Sequence, residues 1–181
     1  MPQNAQSQVI RLSRLPVGAP TPFVLEPDPR QIQELKAALD LLDLREVRLA
    51  GQLIPEGRAD WRLEATLGAT VVQPCSVTLE PVTTRIDTPV LRRYLAGYTA
   101  PDDAEAEMPE DDSIEPLPAS VDLGQVLGES LALALPDFPR AAGAELAQAD
   151  FTAPGTAPMT DDDARPFAGL AGLRRQLDPK G

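Results

Sequence analysis

Of the side chains that carry most nucleophilic and metal chemistry, this chain holds a single cysteine, Cys75, and no histidine. That removes Ser-His and Cys-His activation together with the commonest transition-metal ligand. A structural zinc site takes about four Cys or His ligands, more than the chain can supply, so no metal site is expected. Gly128-Glu129-Ser130-Leu131-Ala132 begins like a nucleophile elbow, but it lacks the second glycine and lies inside a helical pattern, which makes Ser130 structural. No phosphate loop and no dinucleotide glycine pattern occurs. Cys75 reads as a half-buried strand cysteine, the usual place for a free thiol. No catalytic residue and no cofactor are assigned, and a binding protein is expected in place of an enzyme.

Carboxylates are the abundant chemical group. Within 101–118, Asp102, Asp103, Glu105, Glu107, Glu110, Asp111, Asp112 and Glu115 are accompanied by no basic residue. Their spacing departs from the calcium-loop pattern and prolines interrupt them, so the segment reads as an exposed acidic loop, not an ion site. Asp102, Asp103, Glu110, Asp111 and Asp112 are its candidate partner contacts. With 16 basic and 28 acidic residues the net charge is −12, which repels phosphate backbones and suits a basic protein partner, such as a ribosomal protein or assembly factor. Solubility alone also accounts for such a charge. Direct RNA contact is the weaker alternative, through a local basic strip of Arg45, Arg48, Arg58 and Arg62 on a sheet face. No apolar run reaches the ~20 residues of a membrane span, and Met1-Pro2-Gln3-Asn4 lacks signal-peptide character, so a cytoplasmic, membrane-free protein is expected.

These residues need elements to hold them. Residues 1–8 are polar and expected to be flexible, and Val9–Leu12 and Phe23–Leu25 read as short strands. Pro29 opens a helix whose apolar face is Ile32, Leu35, Leu39 and Leu42. From Arg45 the period falls to two: Val47, Leu49 and Leu53 lead to a Pro55-Glu56-Gly57 turn, and Trp61, Leu63, Ala65, Leu67, Ala69 and Val71 return as the second arm of a hairpin. Val77 and Leu79 continue extended, with a turn or bulge near Glu80-Pro81. Asp122 caps a second helix in a capping-box arrangement with Gln125, the stripe Leu123, Val126, Leu127, Leu131 and Ala134 is buried, and Pro136 ends it. The expected organisation is one α+β domain over 9–146, a linker at 147–164 and a C-terminal amphipathic helix at 165–177 with Phe167, Leu170 and Leu173 as docking residues. The fold expected is a bent antiparallel sheet or partial barrel of about four to six strands with two to three helices.

Three segments together resemble the YceD family, the large ribosomal RNA subunit accumulation proteins. Val72-Gln73-Pro74-Cys75 before Glu80-Pro81-Val82 is similar to the family's Cys-x-Arg-Cys segment, with only the second cysteine present. Val121-Asp122-Leu123 through Leu131-Ala132-Leu133-Ala134-Leu135-Pro136 resembles its hallmark helix, and Arg165-Pro166-Phe167-Ala168-Gly169-Leu170-Ala171-Gly172-Leu173-Arg174 its C-terminal motif. The resemblance implies a cytoplasmic accessory factor in ribosome biogenesis that supports accumulation of large-subunit (23S) ribosomal RNA, with no established enzymatic activity. Cys or His residues that many members carry after the Pro-x-x-Pro are absent from 140–146 here, so a metal role is not implied for this chain.

Overall fold

The computed structural model of the chain describes residues 8–99, 111 and 113–145. The chain divides into two units, Met1–Gly143 and Ala144–Gly181, and every element described below lies in the first. The expected flexible segment, the linker at 147–164, the C-terminal helix with Phe167, Leu170 and Leu173, and the acidic residues Asp102, Asp103, Glu110 and Asp112 all fall outside the described residues, Gln8 excepted.

Strand β1 (Val9–Arg11) leads through a 3-10 turn (Leu12–Arg14) to β2 (Thr21–Leu25), helix α1 (Pro29–Ala38), and the long strands β3 (Asp43–Glu56), β4 (Asp60–Pro74) and β5 (Pro81–Leu95). Short strands β6 (Ile114–Pro116) and β7 (Ser120–Asp122) then deliver the chain into α2 (Leu123–Ala134). The main sheet runs β2-β3-β4-β5-β6, and β1 and β7 form a separate antiparallel pair. The fold is thus α+β as expected, with five strands in the main sheet and two α-helices among the described residues. Two features correct the expectation. The sheet is mixed, because β6 pairs parallel to β5 at Arg93–Leu95, and it is open, not a partial barrel, with β2 and β6 at its two edges.

Alternation decides which sheet face is dry. Leu49 and Leu53 of β3, Leu63, Leu67, Ala69 and Val71 of β4, and Ile86, Val90 and Tyr94 of β5 point to one side and pack against Leu123, Val126, Leu127 and Leu131 of α2. A β-bulge between Arg45 and Arg48 puts Glu46 at φ 52 and brings Leu44 and Val47, three residues apart, to the same buried face. Gly51 is required where β3 meets β4, since a side chain there would run into the Glu64 carbonyl and Ala65.

Three local expectations change. Val77 and Leu79 are not strand residues: β4 stops at Pro74, the turn closes with the Cys75 N–H bonded to the Glu80 carbonyl at 2.7 Å, and Leu79 is exposed at φ 64. The full capping box belongs to Asp28 and Gln31 at the start of α1. Asp122 caps α2 by accepting from the Gly124 and Gln125 amides, but the Gln125 side chain turns to Glu129 instead of returning to the cap. On α1, Ile32, Leu35 and Leu39 meet the core, whereas Leu42 lies beyond the helix and is exposed.

Candidate functional site

The chemistry of the described residues gathers along β5. Its two consecutive arginines must point to opposite sheet faces. Arg92 points to the helix side, only 16% exposed, and donates to Glu115 of β6 at 2.5 Å and to Glu129 of α2 at 2.7 Å. Burial works against its charge, but the Glu129 hydrogen bond and the two carboxylate charges outweigh that and raise its pKa. Glu129 is held below the usual range, first by the Gln125 amide and then by Arg92, against an opposing effect of burial. Tyr94, buried one step along the same face, has its hydroxyl pushed up to about 12 by burial and by Glu115.

On the opposite face Arg93 reaches Asp111 at 3.3 Å and Glu56 at 4.0 Å, and Glu56 is shared with Arg62, which also pairs with Glu64. Further along, Arg85 lies between Asp87 at 2.8 Å and Glu46 at 3.2 Å. In each of these clusters the carboxylates outnumber the guanidinium groups by one. The strand therefore carries three ionic knots, each with a net negative charge.

Between β5 and α2 lies a groove of about 300 Å³ with Thr88–Arg92 on one wall and Ser130, Leu133 and Ala134 on the other. Leu133 is 87% exposed and Leu91 50% exposed. Above it, from Pro81 to Arg92, no strand among the described residues pairs with the outer edge of β5, because β6 covers only Arg93–Leu95. The Arg93 N–H to Ser113 and the Leu95 carbonyl to Leu117 point to that edge, so by alternation Thr83, Arg85, Asp87 and Leu91 direct their N–H and C=O outward too. Pro89 is in the same phase, which explains why a proline is tolerated within the strand: the donor it lacks is one that β4 does not use.

Cys75 sits at the other end of the sheet, fully buried. Its sulfur accepts from the amides of Val77 and Thr78 at 3.4 Å and of Ala141 at 3.3 Å. The Ala141 amide is the largest influence, followed by Thr78 and Val77; together they outweigh burial and lower the thiol pKa to about 6. Ser76 donates to the Pro139 carbonyl at 2.8 Å and Gln73 to the Pro136 carbonyl, so Cys75 anchors the chain after α2 onto the β4–β5 turn. Among the described residues no group of three His, Cys, Asp or Glu side chains is placed to hold a metal.

Of the residues singled out from sequence, Asp111 and Glu115 join the β5 clusters, Asp122 caps α2, Cys75 accepts from Ala141, and Pro136 accepts from Gln73. Ser130 is buried in α2. Three of the four arginines of the expected basic strip are paired, Arg45 with Asp43, Arg48 with Glu26, and Arg62 with Glu56 and Glu64, leaving Arg58 in the β3–β4 turn without a partner among the described residues. Arg85, Arg92 and Glu129 escaped the sequence reading; the Arg92-Arg93 pair within a strand was the signal, since one of the two had to face inward and find a carboxylate.

The family model described as large ribosomal RNA subunit accumulation protein YceD matches residues 63–174, more than half of the chain, and the chain belongs to that family. No curated protein and no solved structure matches it.

Proposed function

We propose that this member of the YceD family supports accumulation of large-subunit ribosomal RNA as a non-enzymatic accessory factor, and that it acts by binding a basic protein. The pathway follows from the family description. The mode of action is supported by one observation: the arginines along β5 and its neighbour Arg62 are outnumbered by carboxylates within ion-pair distance. Guanidinium groups held in this way have little to offer a phosphate, and an RNA ligand would have to displace internal carboxylates before releasing any counterions. A basic polypeptide meets a surface already of the right sign.

The reading is tested in a deletion strain complemented with the full chain. Loss of the gene lowers the ratio of large- to small-subunit ribosomal RNA, complementation restores it, and crosslinked capture recovers a ribosomal protein or assembly factor in preference to free RNA. Normal ribosomal RNA ratios in the deletion strain, or capture of RNA alone, would overturn it.

A further inference from the structure

The geometry points to the outer edge of β5 as the place where an extended basic polypeptide segment docks, adding a strand to the sheet. This inference rests on the reading above that the protein holds a basic protein, and it supplies the site and the form of the ligand. Three observations converge on it. The first is backbone chemistry: from Pro81 to Arg92 the edge is unpaired among the described residues, and Thr83, Arg85, Asp87 and Leu91 present N–H and C=O groups in register for a neighbour.

The second is shape. The groove on the α2 side of the edge places exposed Leu133 and its neighbour Ala134 where alternate apolar side chains of an added strand would fall. The strand's first neighbour already obeys this geometry, since β6 joins the same edge in parallel and ends its pairing at Arg93. A ligand strand would continue that line. Pro89 withholds one donor, so the ligand bonds to the N–H groups on either side of it and to the Pro89 carbonyl between them.

The third is charge, which chooses the occupant. The clusters Arg85 with Glu46 and Asp87, and Arg62 and Arg93 with Glu56, Glu64 and Asp111, each retain one uncompensated carboxylate, and both lie on the sheet face away from α2. An extended segment with a lysine or arginine at alternate positions matches that row on one side and fills the groove with its apolar residues on the other. A neutral or acidic strand gains the backbone bonds but meets repulsion, and a second copy of this chain would bring the same negative row edge to edge.

The test titrates the full chain with a labelled peptide, acetyl-Lys-Val-Lys-Val-Lys-Val-Lys-amide, against a version with alternate backbone nitrogens methylated and against a glutamate-for-lysine version. The lysine peptide should bind saturably, slow amide exchange at Thr83, Asp87 and Leu91, and weaken with salt. N-methylation should weaken it about tenfold or more, because the side-chain charges remain while the strand bonds are lost. Asp87→Asn with Glu64→Gln, which neutralises the two clusters on that face without removing their arginines, should weaken it roughly fivefold.

Equal binding of the methylated peptide, no binding of any peptide, or concentration-dependent dimerisation that protects this edge would each overturn the inference. Undiminished capture of a basic partner in cells by the Asp87→Asn/Glu64→Gln protein would overturn this site and leave the broader reading standing; normal ribosomal RNA levels in the deletion strain would remove that reading itself.

Discussion

Replacing Arg92 with Met probes the tie between β5, β6 and α2 without opening a cavity, because methionine keeps the apolar stem of the arginine. Two charge-assisted hydrogen bonds are lost, at 2.5 Å to Glu115 and 2.7 Å to Glu129. Each such bond contributes ~1.5–3 kcal/mol when its partners are dry. The arginine is only 16% exposed, but the carboxylates are 38% and 43% exposed and can recover water once freed. Solvent screening therefore reduces the sum, and removing the guanidinium also relieves its own desolvation. The expected loss is ~2 kcal/mol, a fall in Tm of roughly 4–8 °C for a chain of this size. Urea unfolding of the wild type, Arg92→Met, Glu129→Gln and the double variant measures it, and the cycle should return ~1 kcal/mol of coupling. A loss below ~0.5 kcal/mol, or no coupling, would show that the knot is surface decoration and that α2 is held by packing alone.

Cys75 makes a pH prediction whose sign follows from its depressed pKa. The folded thiol titrates at about 6 against an ordinary value of 9.0, so the thiolate's contribution is fully present above the ordinary value and is lost as pH falls through about 6. The stability difference between wild type and Cys75→Ala should widen on going from about pH 6 to about pH 9 in parallel urea series; pH-independent differences would refute it. Asp28→Ala removes the carboxylate that accepts from the Arg30 and Gln31 amides while keeping the backbone N–H that donates to the Gln31 side chain, and should cost ~1 kcal/mol in the same assay. Gly51→Ala forces a methyl against the Glu64 carbonyl and Ala65 and should cost ~1–3 kcal/mol; a neutral result would mean that the β3–β4 pair can spread at this point.

Periodicity made the long elements legible. The apolar residues at every second position from Leu63 to Val71 face α2, and Leu123, Val126, Leu127 and Leu131 meet them at helical spacing. What was hidden depended on partners distant in sequence. Val77 and Leu79 carry strand-like side chains, but the Cys75 sulfur accepts from the Val77 and Thr78 amides and closes a turn that composition does not signal. Residues Ile114–Pro116 sit in an acidic stretch that reads as loop, and pair as a strand because Arg92 and Arg93 offer Glu115 and Asp111 a place beside β5. The arginines proposed as a basic strip were visible as residues, while their neutralisation was not, because cross-strand register decides who stands opposite whom.

The boundary of the family match sharpens what each half of the chain contributes. The match begins at Leu63, inside β4, so its start cuts the β3–β4 hairpin: Trp61 and Arg62 lie before it, and all of β3 does as well. Cys75, Arg85, Arg92, Asp111, Glu115 and Glu129 all lie within the matched span. The preceding residues supply β1, which pairs with β7 just before α2, and β3, whose Leu49 and Leu53 are fully buried in the same core as Leu63, Leu67 and Leu127. A fragment limited to the matched residues would expose one long edge of β4 and leave β7 unpaired, with apolar surface open on the inner face. The chemistry of β5 thus depends on the strands before the match, since β3 supplies Glu46 and Glu56 to its clusters and holds the register of β4, which fixes the direction in which Arg92 points.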